Sequence, residues 1–349
     1  MNPLQKNKNR SVGLLFFMLG ILLVIFFIAD ILLGSIVIPV KQVFLAFFPS
    51  SETSESFRTI VLDFRLPKAL TAVFTGAALS LSGLQMQTVF RNPLAGPYVL
   101  GISAGATLGV ALFVLGFSSA FAFGIFSSTG AWSLALVAWA GSFLVMLLVL
   151  YVSARVNDIM TLLILGILFT SAVTAVVSIL QYFSNESMLK AFVIWTMGSL
   201  GSVTKSQLMV LAPAITAGTF LAFLKIKDLN AFLLGEDYAR SLGVSIKTSR
   251  VIIFLSTSLL AGTITAFCGP IGFIGIAVPH ICRIIFKTAS HLVLVPAVII
   301  TGSIVMLFSD IVSQLPGMQT TLPINSVTAL IGIPVIIWMI VKNRKFVSV

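Results

Sequence analysis

The sequence predicts an all-α, polytopic membrane protein of about ten transmembrane helices, and three observations predict it. Of its 349 residues, 58% are hydrophobic and only 9% charged, with a mean hydropathy of +1.12; a soluble domain carries about a quarter charged residues. The apolar residues gather into runs of about 20, the length that carries a helix across roughly 30 Å of hydrocarbon. Between the runs, Lys and Arg alternate in abundance. With ten spans beginning inside, 15 of the 21 basic residues fall in inner segments and only Lys41, Arg58, Arg65, Lys68, Lys190 and Lys205 outside, which orients both termini to the cytoplasm.

The first run, 12–29, follows Lys6, Lys8 and Arg10. It is long for a signal-peptide core and lacks a clean small-x-small cleavage site, so it reads as an uncleaved first span. A polar interval, 30–68, leads to a second span at 69–89, which carries no charge. Its Ala72, Gly76 and Ser80 fall four apart and form one flat stripe where another helix can approach closely. Arg91 closes this span, and NPLAGP turns the chain, because two prolines and a glycine cannot continue a regular helix. Third and fourth spans follow at about 98–116 and 131–152, joined by a Ser/Gly/Phe-rich connection.

The fifth span, about 160–182, places Thr170, Ser171, Thr174, Ser178 and Gln181 on one face at 100° per residue. Such a stripe is either an interhelical hydrogen-bonding seam or the wall of a watered pathway. The apolar patch AFVIWTMGSLG within 184–206 is too short to span and reads as a re-entrant or surface helix. A sixth span at 207–224 contains Pro213 and precedes the charged interval 225–250. The seventh is at 251–268, GPIGFIGIAVPHICR supplies a short eighth ending at Arg283, the ninth runs 292–312, and the tenth, 324–341, follows the break QLPGMQTTLP.

Within the charged interval, LLGEDYARSLGV reads as a short amphipathic helix on the cytoplasmic side. Leu234, Tyr238 and Leu242 align at i, i+4 and i+8, while Glu236 and Arg240 pair on another face. Such a helix either lies at the lipid interface or docks on a partner.

RLPK, the glycine-bearing second span and RNPLAGPYVLGISAGA together resemble the signature region of the FecCD family of permeases, the membrane subunits of ATP-driven importers for iron-siderophores, haem and vitamin B12. Arg91, Asn92, Pro93, Gly101 and Gly105 carry the first signature. GPIGFIGIAVPHICR, with Pro279 and His280, is similar to the second, and LPINSVTALIGIPVIIWMI to the family's last span. The resemblance implies a single permease domain over 1–349 of the type II ABC importer fold, ten helices with an inverted internal repeat, in the cytoplasmic (inner) membrane of a prokaryote. It also implies a homodimer, two ABC ATPase subunits and an extracytoplasmic substrate-binding protein. The acidic-x-Ala-x-x-x-Gly spacing at Asp237, Ala239 and Gly243 resembles the coupling segment that docks into the ATPase, about 228–247, with Glu236, Tyr238, Arg240 and Leu242 as contacts.

By the same resemblance, Arg65 and Lys68 flank the leucine-proline that meets acidic residues of the binding protein, and Gln314 stands where a third basic residue would be. Lysine keeps charge but loses the two-toothed grip of arginine, and glutamine loses the charge. The docking face is therefore expected to be re-tuned, with Arg65 and Lys68 as plain interfacial anchors the competing reading.

The expected function is translocation of an iron chelate, siderophore or haem, with a corrinoid as the alternative, along a pathway walled by Thr170, Thr174, Ser178 and Gln181. No cofactor is expected. The formal net charge of +11 is explained by topology, since no nucleic-acid motif accompanies the basic residues. No GxxxxGK[ST] occurs, so ATP must be handled by a partner. Cys268 and Cys282 sit in apolar surroundings without metal-binding spacing, no metal site is expected, and His280 and His291 read as packing or interfacial residues. An ion-coupled secondary transporter is the rival from another class; it would keep acids deep in the bilayer, whereas here they lie near span ends.

Overall fold

A computed structural model describes residues 3–34, 38–48, 55–116, 131–156, 158–314 and 320–342. Among the described residues seven helices are long and apolar enough to cross a membrane, and three shorter apolar helices, Ile102–Gly116, Ile274–Phe286 and Ile324–Met339, complete the expected ten. The chain runs through α1 (Pro3–Leu32), α2 (Val40–Ala46), α3 (Glu55–Thr59), a π-helical turn (Ile60–Arg65), α4 (Leu66–Val89) and a 3-10 turn (Pro97–Leu100) to α5 (Ile102–Ala111). It continues through α6 (Ala131–Arg155), α7 (Ile159–Phe183), α8 (Glu186–Thr196), α9 (Lys205–Leu224), α10 (Ile226–Phe232) and α11 (Glu236–Ser241). The last four helices are α12 (Ile246–Cys268), α13 (Ile274–Phe286), α14 (His291–Ser313) and α15 (Ile324–Lys342). The connection 117–130, most of the break after Gln314, and the terminal Arg344 and Lys345 lie outside the described residues.

Helix α4 is the centre. It packs on α14, α12, α13 and α9, and nearly all of its side chains are buried. The small-residue stripe makes this possible: a Cβ on Gly76 would overlap the Gly302 carbonyl oxygen, and one on Gly302 would overlap the Ser80 hydroxyl. Apolar surface alone drives little association inside lipid, so backbone-to-backbone approach of this kind supplies the packing. Gly302→Val is therefore expected to destabilise the bundle by about 1–3 kcal/mol through overpacking, read as a lowered melting temperature of the detergent-solubilised protein.

Buried polar side chains tie helices to one another. Gln85, fully buried, donates to Ser256 Oγ at 3.0 Å and accepts from Thr257 Oγ1 at 2.9 Å, tying α4 to α12. Asp158 caps α7: hydrogen bonds from the Thr161 hydroxyl and from the Met160 and Thr161 backbone hold its carboxyl below the ordinary carboxylate range.

Two boundaries differ from expectation. The second span begins at Leu66 and continues a helix from Glu55 without interruption, because the π-helical turn Ile60–Arg65, in which Leu66 N reaches back to Val61 O, sits just before Pro67 and takes up the residue that has no N–H to give. The eighth span begins only at Ile274, and GPIGF before it is not helical. The patch read as re-entrant or surface is α8, whose end reaches inward far enough for Ser199 N to donate to Cys268 O at 2.8 Å.

Candidate functional site

At the end of the bundle where α4 finishes, the expected helix over 233–244 is shorter than its pattern. Gly235 adopts φ 116 and breaks it, leaving α11 at Glu236–Ser241. A side chain at Gly235 would be strained by that φ and would also place its Cβ 2.7 Å from Arg91 Nη2. Leu234 thus lies before the helix, yet Leu234, Tyr238 and Leu242 are all displayed, 65%, 51% and 59% exposed. Ala239 is the opposite, fully buried in a small core with Phe90, Phe232, Ile253 and Phe254. Gly243, at φ 82, ends the helix with its N–H on Arg240 O at 3.0 Å.

The expected Glu236–Arg240 pair is replaced. Glu236 Oε1 meets Arg250 Nη2 at 2.5 Å, and Arg250 is almost wholly buried. A buried guanidinium needs its counter-charge more than an exposed one does, so α12 takes the carboxylate. Arg240 is left exposed, 3.7 Å from a fully exposed Asp237.

The first signature forms the floor beneath α11. Arg91 turns the chain at φ 47, Asn92 Oδ1 accepts from Leu94 N at 2.9 Å, and His280 Nε2 donates to Pro93 O at 2.8 Å. Pro279 is buried in α13. Gly101, at φ 76, sits against Phe169, and Gly105 lets α5 press on Gly141 of α6. His280 and His291, which contacts Thr88 Oγ1 at 2.8 Å and Asn230 Oδ1 at 3.0 Å, both serve as internal struts.

At the end of the bundle where α4 begins, Arg65, Lys68 and Gln314 come together, but around acids of their own chain. Arg65 Nη1 donates to Ile31 O at 2.7 Å and Leu32 O at 2.9 Å, closing the carbonyl end of α1. Lys68 Nζ lies 3.0 Å from Asp310 Oδ2. Gln314 Nε2 donates to Asp30 Oδ1 at 3.1 Å and to Asp310 Oδ2 at 2.9 Å. Asp30 and Asp310 are 3% and 2% exposed. The sequence carries a faint signal for this cluster, one acid near the end of each of two apolar runs, but gives no hint that the two meet.

The α7 stripe faces away from its own bundle. Thr170, Ser171, Thr174 and Ser178 are exposed and Gln181 half-buried, so among the described residues the stripe is not a seam within this chain. Each hydroxyl bonds back to its own helix: Thr170 to Gly166 O, Ser171 to Ile167 O, Thr174 to Thr170 O and Ser178 to Thr174 O, at 2.9–3.0 Å. Beside Thr170 and Ser171 opens a cleft of about 350 Å³, shared with Tyr98, Val99, Ile271 and Phe273. Among the described residues no group of His, Cys, Asp or Glu could hold a metal ion.

The profile of the FecCD transport family matches residues 22–342. The chain is 32% identical over 329 residues to the hemin transport system permease protein HmuU of Yersinia pestis, covering 94% of this chain and 96% of that protein. It is 34% identical over 298 residues to the vitamin B12 import system permease protein BtuC of Salmonella paratyphi A, covering 85% and 88%. Among solved structures it is similar to a transporter of the metal-chelate ABC type in an inward-facing conformation, with TM-score 0.81, 29% identity, and 95% and 99% coverage. A likeness to PsaBC from Streptococcus pneumoniae, with TM-score 0.55 and 15% identity over 82% and 95% of the two chains, concerns the fold alone.

Proposed function

The chain belongs to the FecCD transport family and is the transmembrane permease subunit of an ABC importer, and on that premise we propose that it carries an iron chelate, siderophore or haem. It is not itself an enzyme, and ATPase and substrate-binding subunits complete the importer. In our reading the whole chain is one permease domain with both termini cytoplasmic. Two copies assemble with their α7 helices facing across a central axis, and each copy seats one ATPase on residues 233–244. A loaded binding protein docks on the outer surface around Arg65, Lys68 and Gln314, where Arg65 and Lys68 are left partly open to it.

One observation carries the pathway. A membrane helix presents four exposed hydroxyls and a half-buried glutamine on one face, with little among the described residues to cover them. Lipid gains nothing from such a face, whereas a second copy of the same stripe would enclose a polar channel whose hydroxyls and small side chains pass a bulky cargo without gripping it. The test is uptake into proteoliposomes holding the permease, its ATPase and its binding protein. Haem, a ferric siderophore and cobalamin are offered in turn. Replacing Thr170, Thr174 and Ser178 together by leucine is expected to cut ATP-driven uptake at least tenfold while the ATPase stays bound; unchanged uptake removes α7 from the pathway. The corrinoid reading rests on the similarity to BtuC, and uptake of cobalamin alone would select it.

A further inference from the structure

The chain between α12 and α13, residues 269–273, is non-helical although it lies at membrane depth. Just before it, Cys268 Sγ meets Thr75 Oγ1 at 3.7 Å, and just after it Gly275 packs against Leu79 and Gly83, all on the central helix α4. Irregular backbone is tolerated at this depth only where protein satisfies it or where it lines a watered cavity. Here protein satisfies it, and Ile271 and Phe273 also border the cleft. The Tyr98 hydroxyl donates to Ile271 O at 2.8 Å and accepts from Ile271 N at 3.3 Å, and Asn325 Oδ1 accepts from Gly272 N at 3.0 Å.

Phe273 occupies the costliest position of the segment. Its φ of 67 and ψ of −35, with Ile274 N donating back to Gly272 O at 2.8 Å, make a γ-turn of the strained hand. A bulky residue held in such a region costs on the order of 1–3 kcal/mol. Glycine stands at 272 and 275, on both sides, and would take this turn without strain. The position therefore trades backbone comfort for a ring. Gly332 of α15 makes room for the root of that side chain: a Cβ there would lie 2.5 Å from Phe273 Cβ and 3.4 Å from its Cγ. On its other side Phe273 borders the cleft opposite Thr170 and Ser171 of the stripe.

We propose that Phe273 is a gating side chain of the translocation pathway, moved by its γ-turn between its place against Gly332 and the cleft beside α7. The proposal rests on the reading of α7 as the pathway wall. A turn strained by a few kcal/mol has an alternative conformation within the reach of ATP-driven rearrangement, whereas Tyr98 and Asn325 fix the chain immediately before it. The moving part is thereby confined to one residue.

The test uses the complete importer in proteoliposomes with a Thr170→Cys substitution and a membrane-impermeant maleimide. Cys268 and Cys282 are buried, and the parent without the new thiol supplies the blank. Phe273→Gly, which removes ring and strain together, is expected to raise the Thr170→Cys labelling rate at least tenfold in the nucleotide-free state. Phe273→Tyr, which keeps the ring, is expected to label at the parental rate. Phe273→Leu gives an intermediate rate and stands in should the glycine variant fail to assemble. Labelling that responds to vanadate-trapped nucleotide but is the same in every Phe273 variant overturns the gate and leaves the pathway standing. A Thr170→Cys thiol that never labels in any nucleotide state overturns both.

Discussion

Replacing Tyr238 or Leu242 by aspartate is expected to abolish ATP-driven uptake and to strip the ATPase from the purified permease. The two side chains are 51% and 59% exposed, so neither change disturbs the chain's own core. What each removes is an apolar anchor on a short helix set firmly from behind, by buried Ala239 and by the Glu236–Arg250 pair. Anchors of this kind, aromatic ones above all, contribute about 2 kcal/mol or more at an interface, about thirty-fold in affinity. A carboxylate in their place adds the cost of burying an unpaired charge. The measurement is the ATPase-to-permease ratio after affinity purification, with uptake beside it. A helix lying only on lipid would leave that ratio unchanged, and such a result would return the segment to the interfacial reading.

Lys68→Ala is expected to destabilise the protein by about 3–5 kcal/mol, the usual consequence of removing one partner from a buried ion pair. Asp30 and Asp310 would then share the amide of Gln314 with far less positive charge to balance them. Adding Asp310→Asn is expected to restore most of the loss, because a neutral amide needs no cation. Melting of the purified permease reads both effects. If Lys68 were only a docking contact for the binding protein, the melt would not move, affinity alone would fall, and Asp310→Asn would rescue nothing. The two roles are thus separable in one pair of variants.

The spans were legible because hydrocarbon thickness sets run length, and helix periodicity placed the small-residue stripe of α4 against what proved to be Gly302. Two kinds of feature escaped. The first is a local interruption: the pattern of Leu234, Tyr238 and Leu242 suggested one helix, but Gly235 imposes a backbone angle that the pattern does not encode. The glycine in LLGE was the available signal. The second is long-range charge pairing. Gln314 meets Asp30 across 284 positions, and Arg250 claims Glu236 from a helix that the i, i+4 rule never consults. Periodicity describes one element at a time, so partners supplied by tertiary packing lie beyond it.

The inward-bonded hydroxyls of α7 set the chemistry that a passing molecule would feel on the proposed pathway. A threonine or serine has a single proton to give, and on this face each has already been committed to a carbonyl four residues back. What remains outward is lone pairs and methyl groups. Carboxylates or hydroxamate oxygens on a cargo would find no hydrogen at these hydroxyls, only the amide of half-buried Gln181 at one end of the stripe, and most of the wall would release its freight by default.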